Sequence, residues 1–227
     1  FRHYYIGGLG VSLGYTMQAT MAAWLMATLT PSALMVALVQ TASTAPALLF
    51  GLIAGALADL VDRRKVILVT QSVLLAGTAL LGVTTLVGLI GPGSLLFLTF
   101  VIGSGFMLAI PAQQASINEL VSRPDLPRAV ALGAVSFNMA RAVGPALAGA
   151  IAALLHSGSA FLAAALCFLP LILVVRAWKP REPSLPGVPE TLLSGVQSGL
   201  RFARHSPAMR ALVIRNVTFC LCGSSFW

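Results

Sequence analysis

Charged residues are scarce in this sequence: they make up 9% of the 227 residues, whereas hydrophobic residues make up 58%. Because about a quarter of the residues in a soluble domain are charged, this composition excludes an ordinary soluble domain and indicates an integral membrane protein. Acidic residues are the scarcest, with 6 Asp and Glu against 14 Lys and Arg. The basic residues lie between long apolar runs rather than along a polar face with interleaved aromatics, so we expect no nucleic-acid partner.

Cysteine is also rare, and the three cysteines all lie in apolar runs, at Cys167, Cys220 and Cys222. They show no metal-ligand spacing, so we expect neither a disulfide framework nor a metal site. No glycine-rich phosphate loop with its lysine occurs, so direct use of ATP finds no support and we expect no cofactor.

Long apolar runs are what the sequence has instead. Runs rich in Leu, Ala, Val and Gly predict helices rather than barrel strands, which would alternate apolar and polar residues. Six full spans of roughly bilayer length are predicted, and a seventh begins near Ala211. The six cover 4–29, 34–58, 66–90, 95–117, 129–155 and 160–178.

The predicted fold is therefore an all-α membrane protein with a six-transmembrane-helix bundle over 1–178. A cytoplasmic linker follows over 179–209, and the start of a seventh transmembrane helix occupies 210–227. The chain starts at Phe1 and stops at Trp227 inside an apolar run, so we interpret it as a fragment whose carboxy-terminal half is missing. The run after Tyr4 is too long for a signal-peptide core and is expected to be a retained helix.

The basic residues also predict the orientation. Connections after spans one, three and five carry no Lys, Arg, Asp or Glu, while twelve of the 14 basic residues fall on the other side. Since short loops rich in Lys and Arg stay in the cytoplasm, we expect a multi-pass protein of the inner (cytoplasmic) membrane with a cytoplasmic amino terminus.

The linker has two parts. Its first part, KPREPSLPGVP from Lys179, is expected to be extended because of its prolines. From Glu190 to His205 apolar residues recur at helical spacing, which favours an amphipathic helix on the inner leaflet. A solvated linker helix is the alternative.

The stretch GALADLVDRRK, which begins at Gly55, lies in the loop between spans two and three. It resembles the loop signature of the major facilitator superfamily, G-x-L-A-D-R-x-G-R-K. The matching residues are Gly55, Leu57, Asp59, Arg63 and Arg64. Leu60 stands where the signature has a base, and Asp62 where it has a glycine.

This stretch predicts a cytoplasmic gate. Gly55 would let helices approach closely, and Asp59 would end span two as a cap for the positive end of another helix. The resemblance implies that Asp59 latches the cytoplasmic side against a helix of the second half. The alternative is that the basic cluster, including Arg63 and Arg64, is only a positive-inside anchor.

A second stretch, NMARAVGPALAG from Asn138, resembles the antiporter motif of exporters in the same superfamily through Gly144, Pro145 and Gly149. Small residues predict a tight seam between helices, and the proline predicts a bend. A purely structural kink is the alternative.

Arg141, within that stretch, lies about 18 Å along the helix from its predicted cytoplasmic end near Ala129. A charge so deep costs about 2.5 to 3.5 kcal/mol on insertion scales, so it should face the bundle interior or water. Asn138, Pro145 and Ala148 share its helical face. We expect Arg141 to line or gate the substrate path, against the alternative of bonding backbone carbonyls.

Polar residues elsewhere in the spans are candidates for the same path. Tyr15 and Gln18 occur in span one and Gln40 in span two, and Gln18 is the preferred cavity residue because of its depth. The alternative for most of them is interhelical hydrogen bonding.

The quoted stretches, together with WLMATLTPSAL and PAQQASINELV, resemble the enterobactin-exporter-like and drug-efflux branch of the superfamily. The resemblance implies a secondary active transporter that exports a siderophore or an amphiphilic drug-like compound by alternating access. Its partners would be the lipid bilayer and the missing carboxy-terminal half. Proton coupling is implied by the resemblance alone, because all six acidic residues lie outside the spans.

Two other functions stay open at this point. A passive channel or substrate-binding membrane protein fits the topology, but not the long linker followed by another span. An intramembrane serine protease built on Ser104 and His156 is a remote third, since nucleophile and base must lie within hydrogen-bond reach. We therefore expect no enzyme.

Overall fold

The computed structural model describes residues 2–178 and 206–224, apart from a few side chains within those ranges. Helices make up nearly all of these residues, and no strand occurs among them. The helices are α1 Arg2–Leu29, α2 Ala33–Leu60, α3 Arg63–Leu86, α4 Pro92–Leu120, α5 Leu126–Leu154, α6 Ser157–Leu166, α7 Leu169–Ala177 and α8 Pro207–Ser224. One 3₁₀ turn, Arg123–Asp125, precedes α5.

Local sequence signals explain where several helices end. Gly88 adopts a left-handed φ of 75° just after α3, a conformation that glycine adopts without steric cost. Pro92 opens α4, where its missing N–H costs nothing. Pro170 lies at the start of α7, and the chain turns at Cys167 and Phe168 immediately before it.

Five stretches are long and apolar enough to cross a membrane. They are Ala33–Gly51, Arg63–Leu86, Pro92–Leu120, Arg123–Leu154 and Ser157–Ala177. The first predicted span lies in α1, which is not among the five, so the count of six spans stays a prediction. The sixth predicted span is not one continuous helix: α6 and α7 are separate because Pro170 cannot continue the hydrogen-bond ladder of α6.

Helix α1 lies at the centre of the packing, in contact with α5, α6, α7, α2 and α4. Small residues bring the backbones together: a Cβ on Gly14 would lie 2.6 Å from the Ala164 carbonyl oxygen, and one on Gly158 would lie 2.7 Å from that of Gly82. Phe161, Phe168 and other large apolar side chains fill the core between these contacts. Close approach through small residues is how membrane helices associate.

The helices differ in how much of their surface is buried by the other helices. About half of the membrane-length segment is buried in α3 and in α6 with α7, but only 11% in α2 and 17% in α5. Helices α2 and α5 therefore present the largest uncovered faces of this bundle.

The chain divides into two compact units, Phe1–Glu182 and Pro183–Trp227. In the second unit the structure describes α8, which contains the predicted start of the seventh span at Ala211. Most of the predicted linker over 179–209, including its amphipathic segment, lies outside the described residues.

Candidate functional site

Arg141 lies near the middle of α5, about 20 Å from either end of the helix at 1.5 Å per residue. Its side chain is exposed, and none of the described residues forms a hydrogen bond or ion pair with it. One turn earlier, the side chain of Asn138 is exposed as well, and its Nδ2 donates to the carbonyl oxygen of Ala134 at 2.8 Å. The backbone-bonding alternative for Arg141 thus has no contact in the described chain.

A stripe of small residues on α5 is buried beside this exposed surface. These residues recur at every fourth position, and they are Ser136, Ala140, Gly144 and Ala148. Such spacing lets one helix lie close against another. Ala148, seven residues after Arg141, lies on nearly the same side of the helix but is buried, so this side of α5 is exposed at Asn138 and Arg141 and covered at Ala148.

Contacts across the stripe join α5 to α1. Thr16 Oγ1 donates to the Ala140 carbonyl oxygen at 3.0 Å, and the hydroxyls of Ser136 and Tyr5 are hydrogen-bonded to each other. A Cβ added to Gly144 would collide with Thr16 Oγ1. Gly144 is thus a residue that the close approach of the two helices requires.

The other two residues of the same motif are placed differently. Gly149 is exposed, and a Cβ there would meet no atom within 4 Å. Pro145 is half-buried inside the continuous α5. The packing role predicted for Gly149 therefore has no partner within the described chain.

The candidates on α1 lie inside the bundle. The ring of Tyr15 stacks on that of Phe106 of α4, with centroids 3.8 Å apart and planes at 7°. Gln18 is only 1% exposed, and its Nε2 finds no hydrogen-bond partner among the described residues. Gln40, on α2, is exposed. The five candidates for the substrate path thus divide into an exposed set on α5 and α2 and an interior pair on α1.

Three buried polar residues were not predicted as site residues. Gln71 and Thr78 of α3 and Thr99 of α4 are at most 1% exposed, and their side-chain polar atoms have no hydrogen-bond partner among the described residues. An unpaired buried polar group costs about 1 to 3 kcal/mol. For Gln71, the sequence offered one signal: a glutamine inside the apolar run of predicted span three.

Asp62 caps the loop of the predicted gate. Its Oδ1 accepts a hydrogen bond from the backbone N–H of Arg64 at 2.9 Å, at the amino end of α3. Aspartate is among the preferred residues at this position because it satisfies a free N–H of the first turn. The departure from the superfamily's glycine therefore has a structural reason.

Arg64 connects this loop to the end of α7. Its Nε donates to the Val175 carbonyl oxygen at 3.0 Å, and its Nη2 donates to that of Arg176 at 2.6 Å. A cation at the carboxyl end of a helix satisfies free carbonyls and complements the helix dipole. Arg64 is thus more than a positive-inside anchor.

Arg63 forms an ion pair with Glu119 near the end of α4. Both side chains are more than a third exposed, 34% and 40%, so the pair contributes at most about 1 kcal/mol. A Cβ on Gly55 would meet no atom within 4 Å, so the described chain contains no helix that approaches it closely. The side chain of Asp59 lies outside what the structure describes.

Two grooves of the first unit lie at this same end. One, of about 350 Å³, is lined by Leu120, Val121, Ser122, Asp125, Arg128, Ala129 and Leu132. The other, of about 310 Å³, is lined by His3, Tyr4, Leu120, Val174, Ala177 and Trp178. Neither groove contains a predicted residue of the substrate path.

Ser104 and His156 do not form a catalytic pair in this arrangement. Ser104 Oγ donates to the Phe100 carbonyl oxygen of its own helix at 2.7 Å, and His156 precedes α6 with an exposed side chain. Among the described residues, no group of three or more His, Cys, Asp or Glu side chains could hold a metal ion.

Long apolar helices define the class: a multi-pass helical membrane protein. Residues 1–227 match the family model described as transmembrane secretion effector. The chain belongs to this family of the major facilitator superfamily. The superfamily predicted from the two motifs is thereby confirmed.

Two curated relatives are similar to the chain. A staphyloferrin A transporter of Staphylococcus aureus (strain NCTC 8325 / PS 47) is 30% identical over 153 residues, which cover 66% of this chain and 38% of that protein. The multidrug efflux pump Tap of Mycolicibacterium fortuitum is 28% identical over 199 residues, which cover 84% of this chain and 49% of that protein. The chain thus spans about half the length, or less, of the curated relatives that it matches.

Proposed function

We propose that this chain is the amino-terminal six-helix half of a twelve-helix secondary transporter. The whole protein exports a siderophore or an amphiphilic drug-like molecule across the cytoplasmic membrane by alternating access. The family and the printed names of the two relatives support this class of substrate. In this proposal α1 also crosses the membrane, as the first span, and brings the five membrane-length segments to six, because it packs against five other helices at the centre of the bundle.

The position of Arg141 is the observation that carries the proposal. It is the sole Lys, Arg, Asp or Glu between Arg128 and Arg176, and its side chain is exposed near the middle of α5. Exposure to lipid at that depth would cost about 2.5 to 3.5 kcal/mol on insertion scales. The face with Arg141 and Asn138 therefore turns toward an aqueous path between this half and a second half.

The other end of the bundle supports the orientation. Arg63, Arg64 and the cap at Asp62 lie at one end of the bundle, and their basic loop supports a cytoplasmic position for that end and for the amino terminus. The contacts of Arg64 with α7 and of Arg63 with α4 hold the helices of this half together, so that it moves as one body when the cytoplasmic gate opens. Asp59 contributes the latch toward the second half.

Coupling to protons requires a titratable group that moves between the two sides. The six acidic residues of this chain all lie outside the predicted spans. We place the coupling group in the second half, with Arg141 as a fixed charge facing it.

A transport assay with the full-length protein tests this function. Inverted membrane vesicles that contain it are energised by a proton gradient and given ethidium, as an amphiphilic cation, or iron-free staphyloferrin A. We expect one of the two to accumulate above its external concentration and to leave the vesicles when a protonophore is added. Equilibration to the external concentration without accumulation would indicate a passive channel and contradict the proposal.

A further inference from the structure

The groove of about 310 Å³ between the first turn of α1 and the end of α7 has an apolar wall and an aromatic edge. Leu120, Val174 and Ala177 form the wall, and the rings of Tyr4 and Trp178 meet edge to face with centroids 6.1 Å apart. Tyr4 also donates a hydrogen bond to the Gln113 carbonyl oxygen at 3.2 Å, which fixes the ring. The groove is thus a formed surface of helices α1, α4 and α7.

Two arginines with no acidic partner among the described residues adjoin the lining of this groove in the sequence. Arg2 adjoins the lining residue His3, Arg176 adjoins the lining residue Ala177, and both arginine side chains are exposed. The nearby acid, Glu119, is already paired with Arg63. The carbonyl groups at the end of α7 accept from Arg64, so they are not free to attract another cation.

The position relative to the membrane adds a third observation. Tryptophan and tyrosine concentrate at the membrane interface, and clustered arginines mark its cytoplasmic side. Tyr4, Trp178 and the two arginines combine both features at one end of the bundle. An apolar groove with exposed cations on its cytoplasmic side suits a membrane lipid. The acyl chain would lie in the groove, and the phosphate would lie at the cytoplasmic surface near the cations.

We propose that this groove binds an anionic phospholipid of the inner leaflet. One acyl chain lies along Leu120, Val174 and Trp178, and the headgroup phosphate binds Arg2 and Arg176. A free anion would not use the apolar wall, and a zwitterionic lipid would gain less from two arginines that have no ion-pair partner among the described residues. The site rests on the proposed orientation of this end, but it is independent of the transported substrate.

The test uses the purified, delipidated full-length transporter in detergent. Native mass spectrometry compares the binding of phosphatidylglycerol with that of phosphatidylcholine, and inorganic phosphate is a third arm. We expect phosphatidylglycerol to bind more tightly. The double substitution Arg2→Gln with Arg176→Gln should weaken its binding about thirtyfold, because each base near a headgroup contributes roughly fivefold.

Two further variants separate charge from shape. Lys65→Gln removes an exposed base at the same end that does not line the groove, and it should leave the binding unchanged. Ala177→Phe fills the groove without changing charge, and it should abolish tight binding while the unfolding temperature in phosphatidylcholine stays at the wild-type value.

Several results would overturn the proposal. They are equal binding of the two lipids, wild-type binding of phosphatidylglycerol by the double variant, or binding of inorganic phosphate alone that is as tight as that of phosphatidylglycerol. Binding that appears only after residues 179–205 are removed would show that the chain itself occupies the groove. None of these outcomes depends on transport, so the site and the proposed function fail separately.

Discussion

Replacing Arg141 with methionine in the full-length transporter should lower transport by about tenfold or more without reducing the amount of protein in the membrane. Methionine keeps an unbranched apolar stem but removes the only charge between Arg128 and Arg176. The side chain has no hydrogen-bond or ion-pair partner among the described residues, so its removal breaks no such contact there. Initial rates in energised vesicles, divided by the amount of inserted protein, measure the effect.

Two matched variants accompany this measurement. Arg141→Lys keeps a positive charge and should retain part of the activity, whereas Arg123→Gln removes a base from the exposed 3₁₀ turn before α5 and should transport normally. Loss of insertion in Arg141→Met would favour a structural role for the arginine. Full transport by an inserted Arg141→Met protein would remove Arg141 from the substrate path.

Gly144→Ala should destabilise the bundle by about 1 to 3 kcal/mol, the usual cost of overpacking a close contact. The added Cβ collides with Thr16 Oγ1, and it would lie 3.0 Å from the Thr16 Cβ. Thr16 cannot simply rotate away, because its hydroxyl is hydrogen-bonded to the Ala140 carbonyl oxygen across the helix pair. The free energy of unfolding in mixed detergent micelles measures the change.

Gly149→Ala is the control for this substitution, since it makes the same chemical change five residues later on the same helix. With no atom within 4 Å of the new Cβ, it should be neutral or stabilising by up to about 1 kcal/mol, as alanine favours the helix. Combining Gly144→Ala with Thr16→Ala should recover part of the lost stability, because the clash with Oγ1 is gone. Strictly additive effects of the two substitutions would contradict a direct contact.

The sequence predicted the helices well because their signals are local. Apolar run length and the bounding glycines and prolines lie within a few residues of each helix end, as at Gly88 and Pro92. The division of the sixth predicted span was missed, although Pro170 carries the signal. A proline inside an apolar run bends some membrane helices and breaks others, and neighbouring helices decide which.

The functional residues were predicted less completely, because their roles depend on which way each helix is rotated. Gly144 and Gly149 belong to one motif, yet only Gly144 faces α1. The two hydrogen bonds from Arg64 to the end of α7 join residues more than a hundred positions apart, and no local pattern in the sequence indicates such a contact. Asp62 was noticed as a departure from the signature, but its capping role required the geometry of the turn.

For Arg141, the sequence predicted the depth and the charge but not the exposure of the side chain. Its depth followed from counting residues along the helix, and its charge made it a candidate. Only the structure shows that the packing of α5 through its stripe of small residues leaves the arginine uncovered by this half. The central claim of the proposed function is therefore that this face of α5 lines water rather than lipid.

Thiol labelling of α5 tests this claim most directly. Cys167, Cys220 and Cys222, together with any cysteine of the second half, are first replaced by serine in the full-length protein, and Arg141→Cys, Asn138→Cys and Ala148→Cys are then introduced singly. A membrane-impermeant methanethiosulfonate should modify the proteins substituted at Arg141 and Asn138, transported substrate should slow the reaction, and the protein substituted at the buried Ala148 should stay unmodified. If the first two positions react only with a lipid-soluble reagent, the face is turned to the bilayer and the proposed path is wrong.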